Sequence, residues 1–188
     1  MATLLLARHG ETDWNRQQRW QGHADVPLND AGREQARALA EELAGEPLAA
    51  IYSSDLLRAY ETARAVAERK EMDVIVDRDL REIDVGAWSG LTHDEIRDRF
   101  PDDFRAWSEG GIPVGRGGET NDDLHARVVA AAHRIAAAHA GEQVLVVSHG
   151  GALRTLALHA DAIESDARLE NCGVVRIRYE DGGFRGVD

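Results

Sequence analysis

Two of the eight histidines stand in matching surroundings, each directly behind an apolar run. Leu4-Leu5-Leu6-Ala7 precedes Arg8-His9-Gly10, and Val144-Leu145-Val146-Val147 precedes Ser148-His149-Gly150-Gly151. A third apolar run, Leu48 to Tyr52, leads into Ser53-Ser54-Asp55 and then Arg58. If the runs are strands of one sheet, three segments bring two imidazoles, two guanidinium groups and the N–H groups of two helix N-termini to one place. Such a set suits a phosphate dianion. Phosphoryl chemistry needs its non-bridging oxygens neutralised, a nucleophile in line and a proton donor for the leaving oxygen. Arg8 and Arg58 offer planar donor forks, and His149 a further donor. A neutral His9 is a competent nucleophile towards phosphorus. Glu82, placed after a short strand, is the candidate acid, with partial burial expected to keep it protonated. Asp84 and Glu119 are rival carboxylates. The scheme requires no metal.

The flanking sequence supplies elements to hold these groups. Ala2 to Ala7, Leu48 to Tyr52 and Gln143 to Val147 read as strands whose consecutive apolar residues imply cover on both faces. Asp73 to Val76 is a short fourth strand. Helical spacing follows Asp30, which is placed to cap, and recurs after Asp55, over Thr120 to Ala140 (Leu124, Val128, Ala131, Ile135, Ala138) and over Ala152 to His159. Shorter helices are predicted at Thr92 to Arg99 and Asp102 to Ser108. Alternating Val175, Ile177 and Tyr179, then Asp181-Gly182-Gly183, read as an edge hairpin. The expected fold is a three-layer α/β/α domain spanning 1–188, with a mainly parallel sheet and a cap over the site at about 84–119, rich in glycines that include Gly110 and Gly111. In such sheets ligands bind beyond the carboxyl ends of the strands, which is where His9, Arg58 and His149 fall.

Composition narrows the partners. With 43% apolar and 30% charged residues, the 188 residues can bury one core. The net charge of −12 argues against nucleic acid or an anionic membrane, so a small anionic substrate needs a local basic pocket. Lys70 is the only lysine, which leaves no residue for a Walker-type loop or a Schiff base. The single Cys172 allows no internal disulfide, and no leader or membrane span is evident, so a cytoplasmic location is expected.

Several motifs in order resemble the histidine phosphatase superfamily, also called phosphoglycerate-mutase-like, over nearly the whole chain. They are RHGET-x-x-N at Arg8 to Asn15, QG at Gln21-Gly22, SSDL-x-RA-x-x-TA at Ser53 to Ala63, LRE at Leu80 to Glu82, GGE at Gly117 to Glu119 and SHGG at Ser148 to Gly151. The resemblance implies that His9 is phosphorylated, that Arg8, Asn15, Arg58 and His149 bind the phosphate, that Glu82 is the acid and base, and that Gln21 and Gly22 flank the substrate. It implies no cofactor. Its phosphatase branch acts on small phosphorylated metabolites such as sugar phosphates, phosphoglycerate derivatives and α-ribazole phosphate. The mutase branch usually carries a longer insertion after the acid and a closing tail, so a short cap and an end at Asp188 favour the phosphatase. A mutase and a non-catalytic phospholigand-binding module remain the alternatives, and a homodimer is possible.

Other features read as structural. Ser53 and Ser54 are expected to cap the following helix. Cys172 and Arg178 have the spacing of a cysteine-phosphatase loop, but the intervening GVVRI alternates like a strand, so Cys172 is expected to be a buried small hydrophobe. Trp88 and Trp107 are expected to pack in the core or cap. His125, His133 and His139 are expected at the surface, and His23, His93 and His159 have no evident partner.

Overall fold

Leu4, Leu5, Leu6 and Ala7 are all fully buried, although successive side chains of a strand point to opposite faces, so this strand is covered on both sides. In the computed structural model, which describes residues 1–109, 114–165 and 167–187, the run is β1 (Ala2–Arg8). There follow α1 (Asp13–Arg16), α2 (Asp30–Glu42), β2 (Leu48–Ser53), α3 (Leu57–Lys70) and β3 (Val74–Val76). The chain continues through α4 (His93–Arg99), α5 (Pro101–Ser108), α6 (Asn121–Ala138), β4 (Gln143–Ser148), α7 (Gly150–His159), β5 (Val174–Glu180) and β6 (Gly183–Gly186).

The strands form one sheet in the order β3-β2-β4-β1-β5-β6. Pairings among β3, β2, β4 and β1 are parallel, and β5 runs antiparallel to both β1 and β6. Alternate residues serve different layers. Leu4, Leu6, Val144 and Val146 pack with α6 and α7, whereas Leu5, Ala7, Leu145 and Val147 pack with α2 and α3. The mixed α/β architecture and the C-terminal hairpin match the sequence reading. Glu180 pairs with Gly183, and Asp181 and Gly182 between them have φ of 51° and 82°. Two positive φ values in a two-residue turn match the right-handed twist of the hairpin.

Some local expectations change. Asn29, not Asp30, caps α2, its side chain accepting from the Gly32 N–H at 2.8 Å, while Asp30 lies in the first turn. Polar residues 8–30 contain α1, begun by Thr12, whose hydroxyl accepts from Asn15 N while the Asn15 side chain accepts from Thr12 N. Ser53 and Ser54 do not cap α3, which starts behind Leu56 without a side-chain cap; both serines are fully buried. Ala138 is exposed, and Ala132 and Ala136 instead complete the buried face of α6. Arg178 lies within β5, and Cys172 is half-buried with its thiol pushed up to about 12 by burial, so the pair forms no phosphate loop.

Between Glu82 and α6, the short helices α4 and α5, both among those expected, pack through aromatic rings. Trp88 is fully buried and meets Trp20 and Trp107 edge-on at centroid distances of 5.7 Å each. Within the expected cap, Gly110 and Gly111 lie outside the described residues.

Candidate active site

Register brings the expected groups together. Arg8 of β1 lies opposite Ser148 of β4, and Val147 opposite Ser53 of β2, so His9, His149 and Ser54 leave three adjacent strands at one level. His9 N–H donates to Ser148 O at 3.0 Å and Ser54 N–H to Val147 O at 3.1 Å, extending the ladder one residue past each strand. Beyond this edge lies a cavity of ≈ 770 Å³ whose walls include Arg8, His9, Asn15, Gln21, Gly22, Arg58 and Glu82.

The His9 ring is fixed by its own neighbour. Nδ1 lies 2.7 Å from the Gly10 carbonyl, which can only accept, so Nδ1 carries the hydrogen and Nε2 keeps its lone pair. Residue 10 admits no side chain because the backbone of α2 comes close: a Cβ at Gly10 would stand 2.5 Å from Gly32 O. Burial, then the charges of Arg58 and Arg8, hold the imidazole well below its ordinary value. A neutral, oriented imidazole between two cations suits attack on an anionic phosphorus centre.

The arginines are anchored on one side. Arg58 donates to Ala24 O at 2.7 Å and Gly22 O at 2.8 Å, and Arg8 to Leu169 O at 2.7 Å. Burial lowers Arg58 to about 10, which leaves it charged at neutral pH. Five buried side-chain nitrogens lack a partner among the described residues, and three are Arg8 Nε, Arg58 Nε and His149 Nδ1. Orphaned donors are costly unless something completes them, and a phosphate would. Asn15 and Gln21 are prepared in the same way. The Asn15 amide oxygen accepts from Thr12, and Gln21 Oε1 from the Thr12 hydroxyl at 3.1 Å, and both residues line the cavity.

His149 takes a different place from the others. It is fully buried, does not line the cavity, and meets it through His9, whose ring centroid is 5.2 Å away. Its Nε2 is 2.9 Å from Ser54 Oγ, whose oxygen accepts from Leu56 N–H and whose hydroxyl hydrogen can go to Nε2, the arrangement that leaves the single hydrogen of a neutral His149 on Nδ1. Ser54 therefore orients His149 rather than capping α3. Burial, then Arg58 and His9, keep His149 well below the ordinary imidazole value.

Glu82 is the one of the three weighed carboxylates on the cavity wall. Its Oε1 accepts from Ile83 N at 2.9 Å and Ala152 N at 3.1 Å, and its Oε2 from Gly151 N at 2.9 Å. This alters the sequence reading in two respects. Its half-burial is met by N–H donors rather than by apolar walls, and the N-terminus of α7 receives this carboxylate instead of standing open to phosphate. The N-terminus of α3 is used alike, Leu57 N–H donating to Asp25 Oδ1 at 2.7 Å. Positive helix ends attract the nearest anion, and here both find one within the chain. Phosphate is left to the side chains. Among the rivals, Glu119 is taken by Arg127, and Asp84 accepts from Gly86 N.

Sequence reasoning missed the outer wall, where Gln18, Arg19, Trp20, His93, Asp94 and Arg168 stand. His93 has partners after all, packing tilted against Trp20 at 5.3 Å and edge-on against Trp107 at 5.8 Å. The histidines expected at the surface divide: His125 is exposed, while His133 packs on Phe184 and His139 bonds Tyr52. Among the described residues no group of three or more His, Cys, Asp or Glu is arranged to hold a metal ion, and no helix is long and apolar enough to cross a membrane.

A family model described as histidine phosphatase superfamily (branch 1) matches residues 4–188. Phosphoglycerate mutase-like protein 4 of Arabidopsis thaliana is 43% identical over 159 residues, covering 82% of this chain and 69% of that protein. Phosphoserine phosphatase 1 of Hydrogenobacter thermophilus is 40% identical over 157 residues, covering 83% and 74%. Among solved structures, a mycobacterial glucosyl-3-phosphoglycerate phosphatase complexed with VO3 superposes with a TM-score of 0.85 at 34% identity, covering 97% of this chain and 95% of that one.

Proposed function

The chain belongs to the histidine phosphatase superfamily, branch 1, and from that premise we propose that it is a metal-independent phosphatase of small phosphomonoesters acting through a phosphohistidine. The observation that carries this is His9 itself: its Nδ1 is held by Gly10 O, its Nε2 is free, and Arg8 and Arg58 flank it on the cavity wall. In the first step Nε2 attacks phosphorus, the N–P bond forms as the ester P–O bond breaks, and Glu82 gives its proton to the leaving oxygen. In the second step water attacks phosphorus, its proton passes to Glu82, and the N–P bond breaks to release phosphate and neutral His9. Arg8, Arg58 and Asn15 neutralise and orient the non-bridging oxygens throughout, with the orphaned Nδ1 of His149 as a further donor. Gln21 and Gly22 border the ester. Water is taken as the acceptor, a reading supported by the exposed polar side chains Gln18, Asp94 and Arg168 on the outer wall among the described residues.

The relatives named for phosphoserine and glucosyl-3-phosphoglycerate support a substrate with a charged or hydroxylated group near the phosphate. The test is a panel of phosphate esters assayed with and without a chelator, beside His9→Ala. Phosphate release is expected to ignore the chelator and to fall by about 10⁴-fold or more in the variant. Loss of activity with chelator, or retention in His9→Ala, contradicts the mechanism. Transfer between phosphoglycerate positions that outruns phosphate release assigns a mutase, and no turnover of any ester a binding module.

A further inference from the structure

We infer that Arg127, with Glu119, is a positioning residue for Glu82, holding the backbone from which the acid reaches the leaving oxygen. Arg127 lies on α6, away from the cavity wall. Its Nη1 donates to Asp79 O at 3.0 Å and Arg81 O at 2.7 Å, and its Nη2 to Glu82 O at 2.8 Å. The other edge of the guanidinium grips Glu119, Nε to Oε1 at 2.6 Å and Nη2 to Oε2 at 2.7 Å. All five N–H donors of the fork are thus engaged, three of them on carbonyls of the four-residue stretch that ends at Glu82.

Glu119 closes the frame from the other side. Its N–H donates to Asp84 O at 2.8 Å, and its Oε2 accepts from Asp84 N at 3.2 Å. The residues on either side of the acid are therefore tied to one ion pair, whose side chains are only 19% and 16% exposed. The carboxylate of Glu82 is held separately by the first turn of α7. Arg127 fixes the base of the side chain and α7 its tip. A lysine at 127 keeps the charge but, with three tetrahedral donors, cannot span three carbonyls and a carboxylate in one plane. A buried ion pair contributes little to net stability when both partners could be replaced by packed apolar groups, so geometry is the better account of its presence.

The inference rests on the reading of Glu82 as the acid, and a general acid has a signature that folding defects lack. Protonation matters greatly for an alkyl ester, whose leaving group is a strong base, and little for 2,4-dinitrophenyl phosphate. The readout is the ratio of kcat/KM for glycerol 2-phosphate to kcat/KM for the dinitrophenyl ester, a parameter that stops at phosphorylation of His9. In Arg127→Lys and in Glu119→Gln this ratio is expected to fall by about 10²-fold, the cost of misplacing a catalytic group by an ångström. In Glu82→Gln it is expected to fall further, and adding Arg127→Lys to Glu82→Gln should lower it no more. Equal losses on both esters in Arg127→Lys and Glu119→Gln, or a further fall in the double variant, overturn the positioning role and leave the acid in place. An unchanged ratio in Glu82→Gln overturns both. Should Arg127→Lys not fold, Glu119→Gln alone decides, because it keeps the arginine and its three carbonyl contacts while removing the charge that squares it.

Discussion

At the floor of the cavity Arg58 is 1% exposed and His9 3%, and each has one edge bonded to backbone carbonyls; at the rim Gln18, His93, Asp94 and Arg168 are exposed. The floor is set in advance by the ends of β1, β2 and β4. The rim comes from the loop before Gln21, the start of α4 and the stretch leading to β5. Donors fixed before substrate arrives need no reorganisation when charge develops, so on the proposed function the floor sets the reaction. Exposed side chains on separate segments re-aim at low cost, which suits the choice of ester alcohol.

Three changes test that division, in order of expected effect. A Cβ at Gly151 would stand 2.5 Å from Glu82 Oε1 and 3.2 Å from its carboxyl carbon. Gly151→Ala should thus push the acid off the α7 N-terminus and lower kcat/KM for alkyl esters about 10²-fold. Gly45→Ala, which meets nothing within 4 Å, should match the parent in the same assay. At the rim, His93→Ala removes a ring packed against Trp20 and Trp107. It should raise KM on the order of 5-fold, about 1 kcal/mol, for some esters of a panel, with kcat nearly unchanged. A fall in kcat as large as that of Gly151→Ala would erase the distinction between rim and floor.

The third change is in pH. His9 and His149 are both held well below the ordinary imidazole value by burial and by Arg58. Rate should accordingly hold as pH falls through about 6.5, the ordinary histidine value, with the acid limb set by a neutral nucleophile lying well below it. Stability moves first. Because the folded values are depressed, the unfolded chain takes up protons before the folded one, so this contribution is fully present above about pH 6.5 and is lost as pH falls from there towards the folded values. Thermal melts across that window should show Tm declining towards acid, and His149→Asn should flatten the decline. A Tm indifferent to pH there would mean that the imidazoles are not held neutral.

The floor was legible because its residue types are unusual and follow directly on apolar strands, a pattern that topology converts into proximity. Even there the sequence left Ser54 as a helix cap, since its partner His149 is 95 positions away. Arg127 carried no signal at all. It sits in an ordinary amphipathic helix, and its meaning depends on three carbonyls that only folding aligns. The rim was illegible for a related reason, because α4 and the loops that form it are arranged by ring packing around Trp88, which has no period to read. Lys70 is the converse case. The only lysine in the chain lies outside the site, its ammonium capping the carbonyls of Leu43, Ala44 and Glu46 behind α2.

The proposed phosphohistidine is tested most directly by mixing the protein with excess dinitrophenyl phosphate, quenching in alkali within milliseconds, mapping phosphate to its residue by mass spectrometry and assigning the ring nitrogen by phosphorus NMR. The expected result is up to one phosphate per chain, carried on Nε2 of His9, the nitrogen that Gly10 leaves free. Turnover without any phosphorylated histidine, or phosphate found on His149 or on Nδ1 of His9, would contradict it.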